Sequence, residues 1–121
     1  MAEVRALVAV PGQEVKMARF VPSPGEFLNI VGGEVHRIGP EVSQALSGWH
    51  GYVNARGGSE NARFNVVATA LARAAGGWPD DVFLGTAVFL GDTPSHPEAD
   101  IPERLLALGL RMGLWRSREA R

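Results

Sequence analysis

The sequence predicts an α+β domain in which a small antiparallel or mixed sheet of about five strands is covered by two to three helices. Three observations support this class. Segments with alternating apolar residues come in neighbouring pairs, segments with helical spacing follow these pairs, and turn residues separate them. The 121 residues fit a single domain, with a predicted core over about 4–91 and a helical extension over about 102–118.

The first predicted pair is a β-hairpin over residues 3–10 and 14–21, in which Pro11-Gly12 supplies the turn. A short helix follows over 23–33. Ser23 is a suitable N-cap, Pro24 occupies the first helical position, Glu26 completes a capping box, and Gly32 provides the left-handed end. The predicted apolar face of this helix comprises Phe27, Leu28 and Val31.

Two further strands are predicted at 34–38 and 48–55, with one helical turn within 41–46 between them. A second helix is predicted over 61–75, because apolar residues recur there at helical spacing and Gly76-Gly77 then stops it. Its apolar residues are Phe64, Val67, Ala68, Leu71 and Ala75. The strand at 81–91 is apolar on both faces, which indicates a central place in the sheet, and Gly85 marks a bulge or a close backbone approach.

The extension at 102–118 is predicted to be an amphipathic helix. Its apolar stripe comprises Leu105, Leu108, Met112 and Trp115. This stripe either docks on the sheet or pairs with a second subunit, and the sequence favours a homodimer, because an exposed stripe of this size is uncommon on soluble monomers. Gly109 and Gly113 lie four residues apart, which permits close packing on one side of the helix.

Composition excludes several classes of protein. The net charge of −1 argues against a nucleic-acid partner, although residues 102–121 carry a net +3. The absence of cysteine removes disulfides and thiolate chemistry and suits a reducing cytoplasm. No apolar run is long enough to span a bilayer or to resemble a signal peptide, so a membrane location is not expected.

The stretch "GYVNARGGSENARFN" at 51–65 is the most polar motif in the chain, and it admits two interpretations. A glycine-rich turn before a helix can hold an anion through backbone N–H groups, and arginines can add forked donors. The other interpretation is a turn that only caps a helix, with Ser59 or Asn61 as the cap. The candidate ligand residues are Trp49, Tyr52, Asn54, Arg56, Gly57, Gly58, Ser59, Asn61, Arg63 and Asn65.

Signs of catalysis and of metal binding are weak. His96, Glu98 and Asp100 alternate in "SHPEAD", but one histidine and two carboxylates in a proline-broken loop are more typical of a polar linker. The serines do not lie in a nucleophile motif, so a small hydrolase using the His96 region is the weakest hypothesis. We therefore expect a protein that is not an enzyme and that has no metal and no cofactor.

Five segments together resemble domain-of-unknown-function family 3846, short proteins of phages, plasmids and bacteria. They are "LVAVPG" at 7–12, "VGGEVH" at 31–36, "GYVNARG" at 51–57, Asn65 with "VAT" soon after it, and "LGTAVFLG" at 84–91. The resemblance covers about 4–91, and Asn54 and Asn65 match its recurring asparagines. It implies an accessory protein of a mobile element in the host cytoplasm.

The functional expectation combines this resemblance with the motif at 51–65. The chain is expected to bind a small anionic, nucleotide-like ligand without catalysis, in a role such as sequestering a host signal. The alternative is a protein-interaction module that binds a host or phage protein through the C-terminal helix.

Overall fold

The structure is a computed structural model and describes residues 2–39, 48–58, 62–76, 82–93 and 96–115. Five strands and three helices are formed by these residues. In chain order they are β1 (Val4–Ala9), β2 (Lys16–Phe20), α1 (Pro24–Val31), β3 (Val35–Ile38), β4 (Trp49–Asn54), α2 (Val66–Ala74), β5 (Ala87–Gly91) and α3 (Glu103–Arg111). The predicted helical turn within 41–46 and the candidate caps Ser59 and Asn61 lie outside the described residues.

The strands form one antiparallel sheet in the order β2-β1-β5-β4-β3, which confirms the predicted α+β class. β5 is the central strand, as its apolar character predicted, but it begins at Ala87 rather than at residue 81; all five of its residues are buried. In the middle of the sheet Phe89 lies between Leu7 and Gly51. A Cβ on Gly51 would lie 2.6 Å from the carbonyl oxygen of Val88, so glycine permits this close packing.

Alternation along the strands divides the core between the two faces of the sheet. Helix α1 covers one face, where Phe27 and Val31 pack with Val88 and Leu90. Helices α2 and α3 cover the other face. The buried residues on that side include Leu7, Trp49, Val53, Leu71, Phe89, Leu105 and Trp115. The fold is therefore a sheet between two helical layers, and residues of β4 point alternately into each layer.

Helix α1 forms as its sequence predicts. The Ser23 hydroxyl accepts a hydrogen bond from the Glu26 backbone N–H at 3.2 Å, and Gly32 ends the helix with φ of 82°. One detail was wrong: Leu28, assigned to the apolar face, is 49% exposed. In an eight-residue helix only one narrow stripe reaches the sheet, and Phe27 and Val31 occupy it.

Helix α2 begins later than predicted, at Val66 rather than at residue 61, and Asn65 is its N-cap. Phe64 precedes the helix, is 50% exposed and forms an isolated antiparallel bridge with Leu84. Residues 63–65 are held by the chain opposite: the N–H of Asn65 donates to the carbonyl of Phe83, and that of Gly85 to the carbonyl of Arg63. This extended pairing delays the start of the helix.

Helix α3 ends at Arg111, well before the predicted residue 118. Gly113 adopts the left-handed conformation with φ of 74°. Its N–H donates to the carbonyl of Leu110, and the N–H of Leu114 donates to the carbonyl of Gly109. This pair of hydrogen bonds is a Schellman motif, which terminates a helix at glycine. The chain then turns back, so that Trp115 packs over Gly109.

Candidate functional sites

The predicted ligand stretch borders an open cleft of about 310 Å³ at one end of the sheet. We call it the turn cleft. It is lined by His36, Ile38, Val53, Asn54, Ala55, Gly57, Gly58, Val82, Phe83 and Leu84. Edge strand β3, the end of β4 and the segment 82–84 form its walls. Three of the predicted ligand residues, Asn54, Gly57 and Gly58, therefore lie at one concave surface.

Over residues 55–57, which the structure describes, the turn does not present free backbone N–H groups to an anion. The N–H groups of Ala55, Arg56 and Gly57 donate to Glu34 O, Asn54 Oδ1 and Asn54 O. Helix α2 begins at Val66, several residues beyond the glycines, so its N-terminus is not the end of this turn. Gly57 has a packing role, since a Cβ there would lie 2.9 Å from the carbonyl oxygen of Leu84.

The two arginines of the stretch are held at different places. Arg56 Nε donates to Glu34 Oε2 at 3.0 Å, and both side chains are largely exposed. Arg63 lies against the β1–β2 turn, where its guanidinium approaches Gly12. Neither arginine is among the residues that line the turn cleft, although Arg56 lies between two residues that do. The structure therefore does not bring the two arginines together.

Three other predicted ligand residues lie away from the cleft, while Ser59 and Asn61 lie outside the described residues. Trp49 is buried on the α2 and α3 side, where its Nε1 donates to the carbonyl of Ala75 at 2.8 Å. Tyr52 points to the opposite face and packs on Phe27, with 4.3 Å between ring centroids. Asn65 is 1% exposed, and both ends of its amide are used inside the protein.

A second site lies on the α1 face, where sequence reasoning found none. His50, Tyr52 and Glu98 form what we call the buried cluster. His50 Nε2 lies 2.9 Å from Glu98 Oε1, and the Tyr52 hydroxyl donates to the same oxygen at 2.7 Å. His50 is completely buried. The alternation of His50 and Tyr52 on β4 is visible in the sequence, but their partner is 46 to 48 residues away.

Burial controls the ionisation of this cluster. Desolvation lowers the pKa of His50, against the opposing effect of the Glu98 carboxylate. Desolvation and the hydrogen bond to Glu98 raise the pKa of Tyr52. Two buried atoms of the cluster, His50 Nδ1 and Glu98 Oε2, have no hydrogen-bond partner among the described residues. The cluster is thus a neutral imidazole and a neutral phenol held on one carboxylate.

Glu98 also lines a cavity with a volume of about 460 Å³. We call it the apolar cavity. Its lining comprises Ala2, Val4, Pro22, His96, Pro97, Glu98 and Ala99. Two of the candidate metal residues of "SHPEAD", His96 and Glu98, line this cavity. The third, Asp100, does not line it, and its Oδ1 accepts from the backbone N–H of Arg5 at 2.8 Å.

The apolar stripe of α3 serves the core of its own chain. Leu105 and Trp115 are buried against the sheet, Leu108 is partly buried, and Met112 is 39% exposed. Leu105 and Trp115 are thus used in the core of their own chain, as the first of the two alternatives for this stripe predicts. The homodimer stays a prediction. Light scattering tests it by measuring the mass of the protein in solution.

No family model, curated protein or solved structure matches the chain. The resemblance to family 3846 therefore stays a prediction. Among the described residues, no helix is both long and apolar enough to cross a membrane.

The lowered pKa of His50 predicts a specific loss of stability in acid. The unfolded chain binds a proton near the ordinary pKa of 6.5, while the folded protein resists it. The contribution of His50 to the free energy of unfolding is therefore complete above pH 6.5. It is lost as the pH falls through the pKa of His50 in the folded protein, by at most about 1.4 kcal/mol per pH unit. Urea unfolding at a series of pH values measures it.

The matched control is His50→Gln, which cannot titrate. The unfolding free energy of the unmutated protein should fall more steeply with acid than that of the variant. Parallel curves for the two proteins would show that His50 keeps the same affinity for protons in the folded and unfolded states.

Proposed function

We propose that this chain is a non-enzymatic binding protein whose turn cleft takes a small anionic ligand with a planar, nucleotide-like body. The observation that supports the proposal is the cleft itself. It is concave, its volume of about 310 Å³ lies in the range of small-ligand sites, and it is bordered by Asn54, Gly57 and Gly58. Ile38, Val53 and Phe83 supply apolar walls for a planar group.

Arg56 is the cation that we assign to the acidic group of the ligand. It is not itself a lining residue of the cleft, but it lies at the rim, between the lining residues Ala55 and Gly57. Its partner Glu34 is 63% exposed, and an exposed ion pair contributes little, about 1 kcal/mol or less. A ligand phosphate or carboxylate can therefore replace Glu34 at small cost. His36 lines the same cleft and adds a donor to it.

A binding role is favoured over catalysis by the chemistry of the lining. His36 is the one titratable side chain among the described residues that border the turn cleft. General acid–base or nucleophilic catalysis ordinarily needs a second group that orients or activates the first. The further steps, a cytoplasmic role for a mobile element and sequestration of a host signal, rest on the family resemblance.

The interaction-module alternative has weaker support. Leu105 and Trp115, half of the stripe on which it depends, are buried in the chain. A partner would have to bind through Met112 and the exposed edge of Leu108.

Calorimetry with mono-, di- and cyclic nucleotides tests the proposal. Arg56→Ala should weaken binding by roughly tenfold or more, because a charge-assisted hydrogen bond contributes about 1.5–3 kcal/mol. Glu34→Gln should strengthen binding, because it removes the competing carboxylate. Neither change should alter the unfolding free energy by more than about 1 kcal/mol.

Arg63→Ala is the matched control, because it also removes an exposed arginine, but one that lies against Gly12. It should leave the affinity unchanged. Equal losses for Arg56→Ala and Arg63→Ala would point to general charge attraction rather than to the turn cleft. Absence of binding by the unmutated protein across the panel would refute a nucleotide ligand.

A further inference from the structure

Glu98 belongs both to the buried cluster and to the wall of the apolar cavity. We propose that this cavity is a second binding site, for a small apolar amine whose ammonium group pairs with Glu98. The site shares no lining residue with the turn cleft, so the two proposals stand independently.

The first argument is the unused hydrogen-bonding capacity of the Glu98 carboxylate. An ionised carboxylate accepts about four hydrogen bonds. Oε1 is contacted by both His50 and Tyr52, whereas Oε2 is buried and has no donor among the described residues. A buried acceptor without a donor is costly, and Glu98 is among the residues that line the cavity. A donor bound in the cavity would satisfy it.

The second argument is charge. Burial keeps His50 neutral near pH 7, so the imidazole does not neutralise Glu98. Arg37 reaches the cluster at Tyr52, with which it shares a side-chain hydrogen bond, and its Nη2 is also paired with Asp92 Oδ2 at 3.2 Å. Its charge is thus divided between Tyr52 and Asp92, and a cation is the complementary ligand for the Glu98 carboxylate. A metal ion is disfavoured, because the described residues hold no group of three histidine, aspartate or glutamate ligands.

The third argument is the chemistry of the walls. Val4, Pro22, Pro97 and Ala99 surround the approach to Glu98 with aliphatic groups. A fully hydrated cation would gain little from such walls, whereas a hydrocarbon body would leave water when it binds there. A ligand with an apolar body and one ammonium group can pack its body against the aliphatic walls and pair its charge with the Glu98 carboxylate.

The test compares cyclohexylmethylamine, which is protonated at neutral pH, with the neutral cyclohexylmethanol. Calorimetry should show binding of the amine at least about tenfold tighter than binding of the alcohol, as expected for one charge-assisted hydrogen bond. Glu98→Gln retains the size of the side chain and should abolish this preference. Glu103→Gln is the matched control, because Glu103 is exposed, pairs with Arg5 and does not line the cavity.

Ala99→Leu tests the site while leaving the Glu98 carboxylate in place. If Glu98→Gln does not fold, this variant alone tests whether the amine binds in the apolar cavity. It should fill part of the cavity and weaken binding of the amine and the alcohol alike. The proposal is overturned if the unmutated protein binds no amine at millimolar concentration, if amine and alcohol bind equally, or if Ala99→Leu leaves amine binding unchanged.

Discussion

Replacing Asn65 with alanine is expected to lower the free energy of unfolding by about 3 kcal/mol or more. The side chain makes three hydrogen bonds inside the protein. Oδ1 accepts from the N–H of Ala68 at 2.9 Å, and Nδ2 donates to the carbonyls of Ala9 and Gly85, both at 2.9 Å. Loss of an N-cap costs about 1 kcal/mol, and each buried carbonyl that loses its donor adds about 1 kcal/mol or more. Chemical denaturation measures the sum.

Two control variants separate the cap from the other two hydrogen bonds. Ser23→Ala removes only a cap, that of α1, and should cost about 1 kcal/mol. Asn65→Asp keeps the acceptor for the cap but places a carboxylate oxygen against two carbonyl oxygens, so it should destabilise at least as much as Asn65→Ala. A stability for Asn65→Asp near that of the unmutated protein would mean that the cap is the whole contribution.

Asn65 also shows why the start of α2 could not be predicted from the sequence. N-cap preferences alone do not distinguish Ser59, Asn61 and Asn65 as the cap of α2. Each has a short polar side chain and precedes an apolar segment with helical spacing. The choice is made by tertiary contacts. The amide of Asn65 reaches Ala9 and Gly85, which are 56 and 20 residues away. Separations of this kind leave no periodic signal in a single sequence.

The sheet could be predicted because its signals are local. Apolar alternation and a turn pair identify the β1–β2 hairpin, and an apolar run on both faces identifies β5 as central. The candidate sites are harder, because each combines distant segments. Asn54, Gly57 and Gly58 were predicted together and do line one cleft, whereas Glu98 meets His50 and Tyr52 only through the fold.

Gly109 is predicted to tolerate no side chain, although it lies in the middle of α3. A Cβ at this position would overlap the indole ring of Trp115, which is 5% exposed and part of the core. Overpacking of this kind costs about 1–3 kcal/mol, more than the gain of about 1 kcal/mol in helix propensity from glycine to alanine. Gly109→Ala should therefore destabilise the protein, and Gly109→Val should do so by about 3 kcal/mol, measured by thermal and urea unfolding.

Gly25→Ala is the matched control, because Gly25 also lies in a helix and a Cβ there meets nothing within 4 Å. It should leave the stability unchanged or raise it slightly. The double variant Gly109→Ala with Trp115→Leu should lose less stability than the two single losses added together, because the smaller side chain removes the overlap. Additive losses would mean that Trp115 does not pack on Gly109, and would leave Trp115 available for the predicted subunit interface.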